Sequence, residues 1–481
     1  MIPLLSYSQL INDQFSLPKP SYILRNKFPF EPTDGQSKII DFLDDFLEKD
    51  SQHNAMVIRG YAGTGKTTLM GGLVNILPLF NQNFVLLAPT GRAAKVLSNY
   101  SKHTAFTIHK KIYKSVIGKE DNGPQFKCLK NYHKDTIFIV DEASMIPVQK
   151  DHNGRSLLND LIQYISEKEG NKIILIGDVA QLPPVKQDES YALDSTFLSD
   201  SYNLNVASFE LTEITRQALD SGILQNATQL RAQLNKDPIK IQFRTLEYKD
   251  IYKMTSDRLE DGLRYAYDKF GIENTLIICR SNRSAVQYNK FIRHQLLFRE
   301  EELEAGDLLM IARNNYLFLP DDIPSGFLAN GDFVEVLKIK NTEENYGLRF
   351  ADLELKLVDY SHKESFEAKV VLDTLHSNSP SMPQEMNREI YNQVLADYAG
   401  LTKKEQREEM KKDPFLNALQ IKYAYALTCH KSQGGQWNAI FVDQGYLVKE
   451  GINKEFLRWL YTAVTRATDE LFLLNFHSDF F

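Results

Sequence analysis

The stretch GYAGTGKTT, Gly60 to Thr68, sets a glycine, four residues and then Gly-Lys-Thr. That spacing suits a loop whose backbone N–H groups wrap a nucleotide's phosphates. Gly60, Ala62, Gly63, Thr64, Gly65, Lys66, Thr67 and Thr68 are its candidate ATP contacts. Lys66 would reach the β- and γ-phosphates, and the Thr67 hydroxyl would ligate Mg²⁺. Downstream, IFIVDEAS ends an apolar run in two carboxylates. Asp141 would hold the Mg²⁺, and Glu142 would polarise the attacking water. A third stretch, LIGDVAQLPPV, places Gln181 just past another apolar run. A turn there needs the glycine and the prolines but not the glutamine. Beside the strand of Asp141, Gln181 could touch the γ-phosphate or its water.

These residues need a frame. Short apolar runs alternate with helical patterns in two regions. AMVIRG, NFVLLAP, TIFIVDEA and KIILIGD form the first set; TLIICRS, AIFVDQG and ELFLLNF form the second. Such alternation marks parallel sheets with helical crossovers. The expected fold class is therefore α/β, with two phosphate-loop-type domains. The first spans 1–205 and the second combines 206–300 with 415–481. Between them, 301–414 changes character. GDLLMIARNN, NGDFVEVLKI, DLELKLVDY and AKVVLDTL predict a small antiparallel β-barrel insertion. A polar helical extension follows, ending in KKEQREEMKKDPF, whose charges read as a solvated helix face. Inside the first domain, about 112–134, two β-like arms flank DNGP, and Asn122-Gly123 signals a hairpin insertion.

Composition bounds the rest. The 481 residues are 43% hydrophobic and 25% charged, the profile of a globular protein with ample core. No apolar run reaches the roughly 18 residues a membrane span requires. The N-terminal MIPLLSYSQLINDQ lacks a basic leader, and Cys128, Cys279 and Cys429 are scattered. Both features predict a cytoplasmic location without disulfides. The net charge of -7 argues against coating nucleic acid by bulk charge but leaves room for a local basic groove.

The order of motifs runs GYAGTGKTT, LLAPTGRAAKVL, TAFTIHKKIY, IVDEASM, LIGDVAQLPPV, LTEITRQ, ALTCHKSQGGQWNAIFVD and LYTAVTRATDELFLL. From about Gln36 to Leu474 the chain resembles a superfamily 1B DNA helicase of the Dda/RecD type. The resemblance implies two RecA-like domains. It gives Gln36 the role of reading adenine and Gln181 that of coupling the γ-phosphate to the DNA site. Arg216 and Arg466 become the arginines that approach the γ-phosphate from the second domain, and Gly435 joins the ATP contacts.

The resemblance also points to a single-stranded DNA track. Thr90, Thr107, His109, Thr428, His430 and Ser432 offer hydrogen bonds to phosphates. Lys110 and Lys431 add charge, and Phe106 and Trp437 could stack on bases. The hairpin falls where the family places a strand-separating pin, with Phe126 a candidate wedge, although Glu120 and Asp121 near its tip disfavour phosphates. The implied activity is ATP-dependent translocation 5′ to 3′ on single-stranded DNA with duplex separation. A monomer suffices, because both halves of the ATP site lie in one chain. Single-stranded DNA and duplex junctions are the expected partners; a single-strand-binding protein or recombination proteins are further candidates. Alternatives are a DNA-stimulated translocase subunit of a larger recombination or repair complex, an RNA helicase, or a nucleotide-gated binding module. Replication, recombination and repair fit alike.

Overall fold

The computed structural model describes residues 18–117, 124–150, 154–215, 220–315, 328–358, 365–448 and 451–481. Strands β1 (Ala55–Gly60), β2 (Asn83–Ala88), β3 (Ala105–Thr107), β6 (Thr136–Val140), β7 (Lys172–Gly177) and β8 (Val206–Leu211) form one sheet in the order β3-β2-β6-β7-β1-β8. All its pairs are parallel. β6 and β7 are buried along their whole length, which is why they read as unbroken Ile/Val/Leu runs rather than alternating ones. Two cores flank the sheet, one around Leu158 and Leu161, the other around Ile40 and Leu73.

The second parallel sheet runs β16-β10-β17-β18-β9. Its strands are β9 (Ile251–Met254), β10 (Thr275–Cys279), β16 (Ala426–Thr428), β17 (Trp437–Asp443) and β18 (Ala467–Leu474). Between the two halves of this sheet, β11 (Leu308–Ile311), β12 (Phe333–Asn345), β13 (Leu348–Leu357), β14 (Ser365–Val371) and β15 (Leu419–Tyr423) close a barrel. Tyr346 and Gly347, both at positive φ, turn β12 into β13, as a two-residue hairpin requires. Helices Gln384–Asp397 and Lys403–Lys412 form the polar extension. Barrel and sheet are joined by a buried knot. Arg293 grips both oxygens of Asp307 at 2.9 Å, and the Tyr425 hydroxyl donates to the same carboxylate at 2.9 Å.

Two expected boundaries move. β8 pairs with β1, so the first sheet runs to Leu211 rather than ending at 205. β15 closes the barrel, which therefore passes 414. Both strands are short edge or closing elements, and each pairs with a strand more than a hundred residues away, β8 with β1 and β15 with β11. The hairpin's β4 (Tyr113–Ile117) and β5 (Pro124–Cys128) pair antiparallel from Tyr113↔Cys128 to Ile117↔Pro124. Its tip, with Glu120, Asp121, Asn122 and Gly123, lies outside the described residues. Among the described residues no helix is long and apolar enough to cross a membrane.

Candidate functional site

The phosphate loop leaves β1 and enters helix Lys66–Ile76. Gly65 begins that helix at φ +76°, and a Cβ there would lie 2.4 Å from the Gln36 Nε2. Glycine is thus required by both conformation and space. The Lys66 ammonium folds back onto the loop, donating to the Gly60 and Tyr61 carbonyls at 2.7 and 2.8 Å. Gln36 sits beside the loop. Its Oε1 accepts the Thr33 N–H, closing a capping box, and its Nε2 donates to the Thr64 carbonyl at 3.0 Å. Thr215 docks on the loop too, its N–H and hydroxyl both donating to the Gly63 carbonyl. Arg216, the next residue, lies outside the described residues.

Asp141 and Glu142 emerge from the end of β6, with Glu142 at φ +50° and its N–H donating to the Asp141 carboxylate at 2.9 Å. Burial pushes the Asp141 carboxyl up to about 7; the adjacent Glu142 charge adds to this, while the Glu142 N–H and Lys66 oppose it. Asp141, a buried carboxylate near the Lys66 charge, and Thr67, in the first turn of the helix that follows the loop, supply oxygen donors of the hard kind that fits Mg²⁺. Among the described residues no cluster of three or more His, Cys, Asp or Glu side chains forms a metal cage. A metal bound chiefly through phosphates and water needs none.

Gln181 is 5% exposed, and its amide oxygen is buried without a hydrogen-bond partner among the described residues. Its neighbours are held from the second sheet. The Leu182 N–H donates to the Thr462 hydroxyl at 2.8 Å, and the Leu182 carbonyl accepts from Gln433 Nε2 at 2.9 Å. From the residue before Thr462, the Tyr461 hydroxyl donates to Asp178 at 2.7 Å and accepts the Ala62 N–H at 2.9 Å. Sequence reasoning did not single out Thr462, Gln433 or Tyr461. Only their position inside two chemistry-bearing motifs marked them. Arg466 is buried within its own domain, its guanidinium donating to the Thr462 carbonyl at 3.1 Å and the Gly435 carbonyl at 3.2 Å.

The expected DNA residues divide. Thr90 caps helix Gly91–Ser101, its hydroxyl accepting the Ala93 N–H, and Thr107 likewise caps the turn holding His109 and Lys110. Phe106, His109, Lys110, Thr428, His430 and Lys431 remain at least partly accessible. Two expectations are corrected. Trp437 is 2% exposed, packed on Phe333 and covered by the Arg92 guanidinium 3.9 Å from its ring centre; it is core and cannot stack on a base here. Ser432 is fully buried, its hydroxyl donating to the Cys429 carbonyl at 2.8 Å. The described surface also brings the barrel to this track. Lys431 donates to Asn330 at 2.6 Å, and a Cβ on Gly91 would lie 2.2 Å from the Asp332 carboxylate.

A phosphate loop on one parallel sheet, hydrogen-bonded to the helix that feeds a second, defines a two-domain P-loop nucleoside triphosphatase. The AAA domain family matches residues 42–244, and the UvrD-like helicase C-terminal domain matches residues 423–474. An uncharacterised protein of Acanthamoeba polyphaga mimivirus is 24% identical over 90% of this chain and 97% of its own length. The ATP-dependent DNA helicase dda of Enterobacteria phage T4 is 25% identical over 64% of this chain and 68% of its own length. The ATP-dependent RecD2 DNA helicase of Deinococcus radiodurans is 29% identical over 38% of this chain, a match spanning 22% of that relative. The Bacteroides Pif1 helicase solved with ADP-AlF3 and single-stranded DNA covers 94% of both chains at 17% identity, with a TM-score of 0.47. The chain belongs to the superfamily 1B helicases of the Dda, RecD and Pif1 type.

Proposed function

We propose that this ATP-dependent DNA helicase walks 5′ to 3′ along single-stranded DNA and parts the duplex ahead of it. The 5′-to-3′ sense rests on the resemblance to the Dda/RecD-type helicases, and the observation that carries the coupling of hydrolysis to movement is the seam at Leu182. The residue after Gln181 is clamped through both backbone groups by Thr462 and Gln433 of the other domain. Gln433 directly follows the Thr428–Ser432 segment expected to touch DNA. A change at the γ-phosphate that shifts Gln181 is therefore passed to the DNA contacts through two hydrogen bonds and no flexible linker. Such a link couples cleft closure to grip, the step that domain-closing motors need.

In this mechanism Lys66 leaves its two carbonyls for the β- and γ-phosphates. Asp141 and Thr67 would hold Mg²⁺, which supplies charge neutralisation at the phosphates when bound. Glu142, displaced from helical geometry at the strand end, orients the attacking water. Arg216 and Arg466 approach as the domains close. The β4–β5 ribbon acts as the strand-separating pin. The test is strand separation with Mg-ATP on matched partial duplexes carrying a 5′ or a 3′ single-stranded tail. Unwinding of the 5′-tailed duplex alone is expected. Preference for the 3′ tail would reverse the polarity, and single-strand-stimulated hydrolysis without unwinding would move the reading to a translocase subunit.

A further inference from the structure

Tyr61, the second residue of the phosphate loop, is held on three sides. Its hydroxyl donates to Glu210 of β8 at 2.7 Å. Its carbonyl accepts from the Lys66 ammonium and the Thr64 hydroxyl, both at 2.8 Å. The Arg231 guanidinium lies over its ring, 4.0 Å from the centre. Arg231 stands outside the motifs that carry the ATP chemistry.

That arginine belongs to the second domain. It sits in the last turn of helix Gly222–Ala232, which packs on the helix carrying Tyr461 and Thr462. The start of the helix is fixed, because Asp250 accepts from the Ser221 hydroxyl at 2.7 Å and the Gly222 N–H at 2.9 Å. Ile223, Ala227 and Leu230 anchor it in the second domain's core, and Tyr61 and Ala62 of the loop pack against that same core. The guanidinium is thus presented to the ring by a rigid element of the other domain. Burial, the hydrogen bond to Glu210 and the Glu210 charge push the Tyr61 hydroxyl up to about 12, with the Arg231 charge opposing. At working pH the ring is therefore a neutral phenol, and its face attracts the cation.

One peptide makes this contact matter. The Tyr61 carbonyl and the Ala62 N–H belong to a single planar unit and point in opposite directions. The carbonyl stores the Lys66 ammonium, and the N–H donates to the Tyr461 hydroxyl at 2.9 Å. Turning that plane would move both the resting place of the lysine and an amide placed to meet a phosphate. The side chain on the same unit is the Tyr61 ring. Gripped at its face and at its hydroxyl, it resists the turn.

We propose that Arg231 is a positioning residue for ATP: from the second domain it holds the Tyr61 ring and so fixes the Tyr61–Ala62 peptide in the orientation that receives the nucleotide's phosphates. This rests on the phosphate-loop reading of the ATP site and adds to it a contact from outside the loop. Arg231 touches no phosphate in this role and acts through Tyr61.

The test uses the full chain and measures ATP hydrolysis with saturating single-stranded DNA, together with the Kd of a non-hydrolysable ATP analogue. Arg231 and Tyr61 are both partly accessible, so the fold tolerates changes at either. Arg231→Ala should raise KM and the analogue's Kd on the order of fivefold, the size of a cation–π contact at a half-buried ring. The kcat should stay within about twofold, as for a loss of ground-state binding. Arg231→Lys keeps a cation over the ring and should recover part of the loss. Tyr61→Leu should weaken the analogue by a similar factor, and adding Arg231→Ala to it should cost nothing more. Unchanged KM and Kd in Arg231→Ala, with only the unfolding temperature lowered, would make the contact structural and overturn the proposal. Multiplying effects in the double variant would overturn it too. So would a loss confined to kcat, which would put Arg231 on the transferred phosphate itself. Lys66→Ala separates the underlying reading: normal turnover in that variant would mean that the loop is not the ATP site, whatever the Arg231 variants do.

Discussion

The hydroxyl of Tyr461 lies 2.7 Å from the Asp178 carboxylate and 2.9 Å from the backbone nitrogen of Ala62. One phenol from the second domain thus ties the phosphate loop to the strand end that leads to Gln181. The ring is 1% exposed, and burial and the Asp178 charge together hold its proton far above the usual phenol range. It therefore donates at every working pH.

Tyr461→Phe keeps the ring and removes both bonds. The Ala62 N–H and one Asp178 oxygen lose a buried partner, which costs roughly 1.5–3 kcal/mol for a bond to a charged group. Thermal unfolding should show this loss in the nucleotide-free chain. With a saturating non-hydrolysable ATP analogue the loss should shrink, because phosphate oxygen replaces the phenol at Ala62. An equal loss in both conditions would mean that the bridge is structural and insensitive to nucleotide.

Lys66→Ala should abolish ATP turnover, falling at least on the order of 10²-fold as for other groups that stabilise transferred charge. The unfolding temperature should move little, since among the described residues the Lys66 ammonium hydrogen-bonds two carbonyls at the rim of the loop. Turnover near the wild-type rate would place the phosphates elsewhere.

The phosphate loop, the two carboxylates and Gln181 were legible because phosphate chemistry demands contiguous residue types at short spacing. Gly60 to Thr68 needs nothing from the rest of the chain to be recognised. The β1, β6, β7, β10 and β17 strands were legible for a related reason: strands buried on both faces are uniformly apolar. β8 and β15 were not, since VASFEL and LQIKY owe their place to partners distant in sequence. Trp437 shows the same limit at a site. Its neighbours Arg92 and Phe333 come from the other domain and the barrel, and nothing local distinguishes a stacking tryptophan from a covered one. Tyr461 was hidden differently. Inside an amphipathic helix it reads as one more core aromatic, and only its hydroxyl contacts reveal the bridge.

Gln181→Ala removes an acceptor that has no partner among the described residues, so folding should be nearly unaffected. ATP binding should also survive. The expected defect is in coupling: fewer base pairs separated per ATP hydrolysed, measured by comparing phosphate release with unwinding on one substrate. An unchanged ratio would remove Gln181 from the relay and leave the Leu182 seam to act through its backbone alone.

The DNA track should carry a pH signature from Lys431. Burial lowers its pKa to about 8, and Lys422, lowered to about 8 by burial and by the Lys431 charge, titrates beside it. A folded-state pKa below the ordinary lysine value means that the charge is fully present well below pH 8 and is lost as pH rises through it. A phosphate binds the charged form and so takes up protons in that window. Affinity for single-stranded DNA should therefore hold steady near pH 6–7 and weaken several-fold between about pH 7.5 and 9.5, where an unperturbed lysine at about 10.4 would still be charged. Lys431→Arg should flatten most of that fall, because a guanidinium stays protonated throughout. Asn330→Ala, which takes away the amide oxygen now 2.6 Å from the ammonium, should raise affinity at neutral pH by freeing Lys431 for phosphate. A profile as steep in Lys431→Arg as in the wild type would assign the titration to another group and take Lys431 off the track.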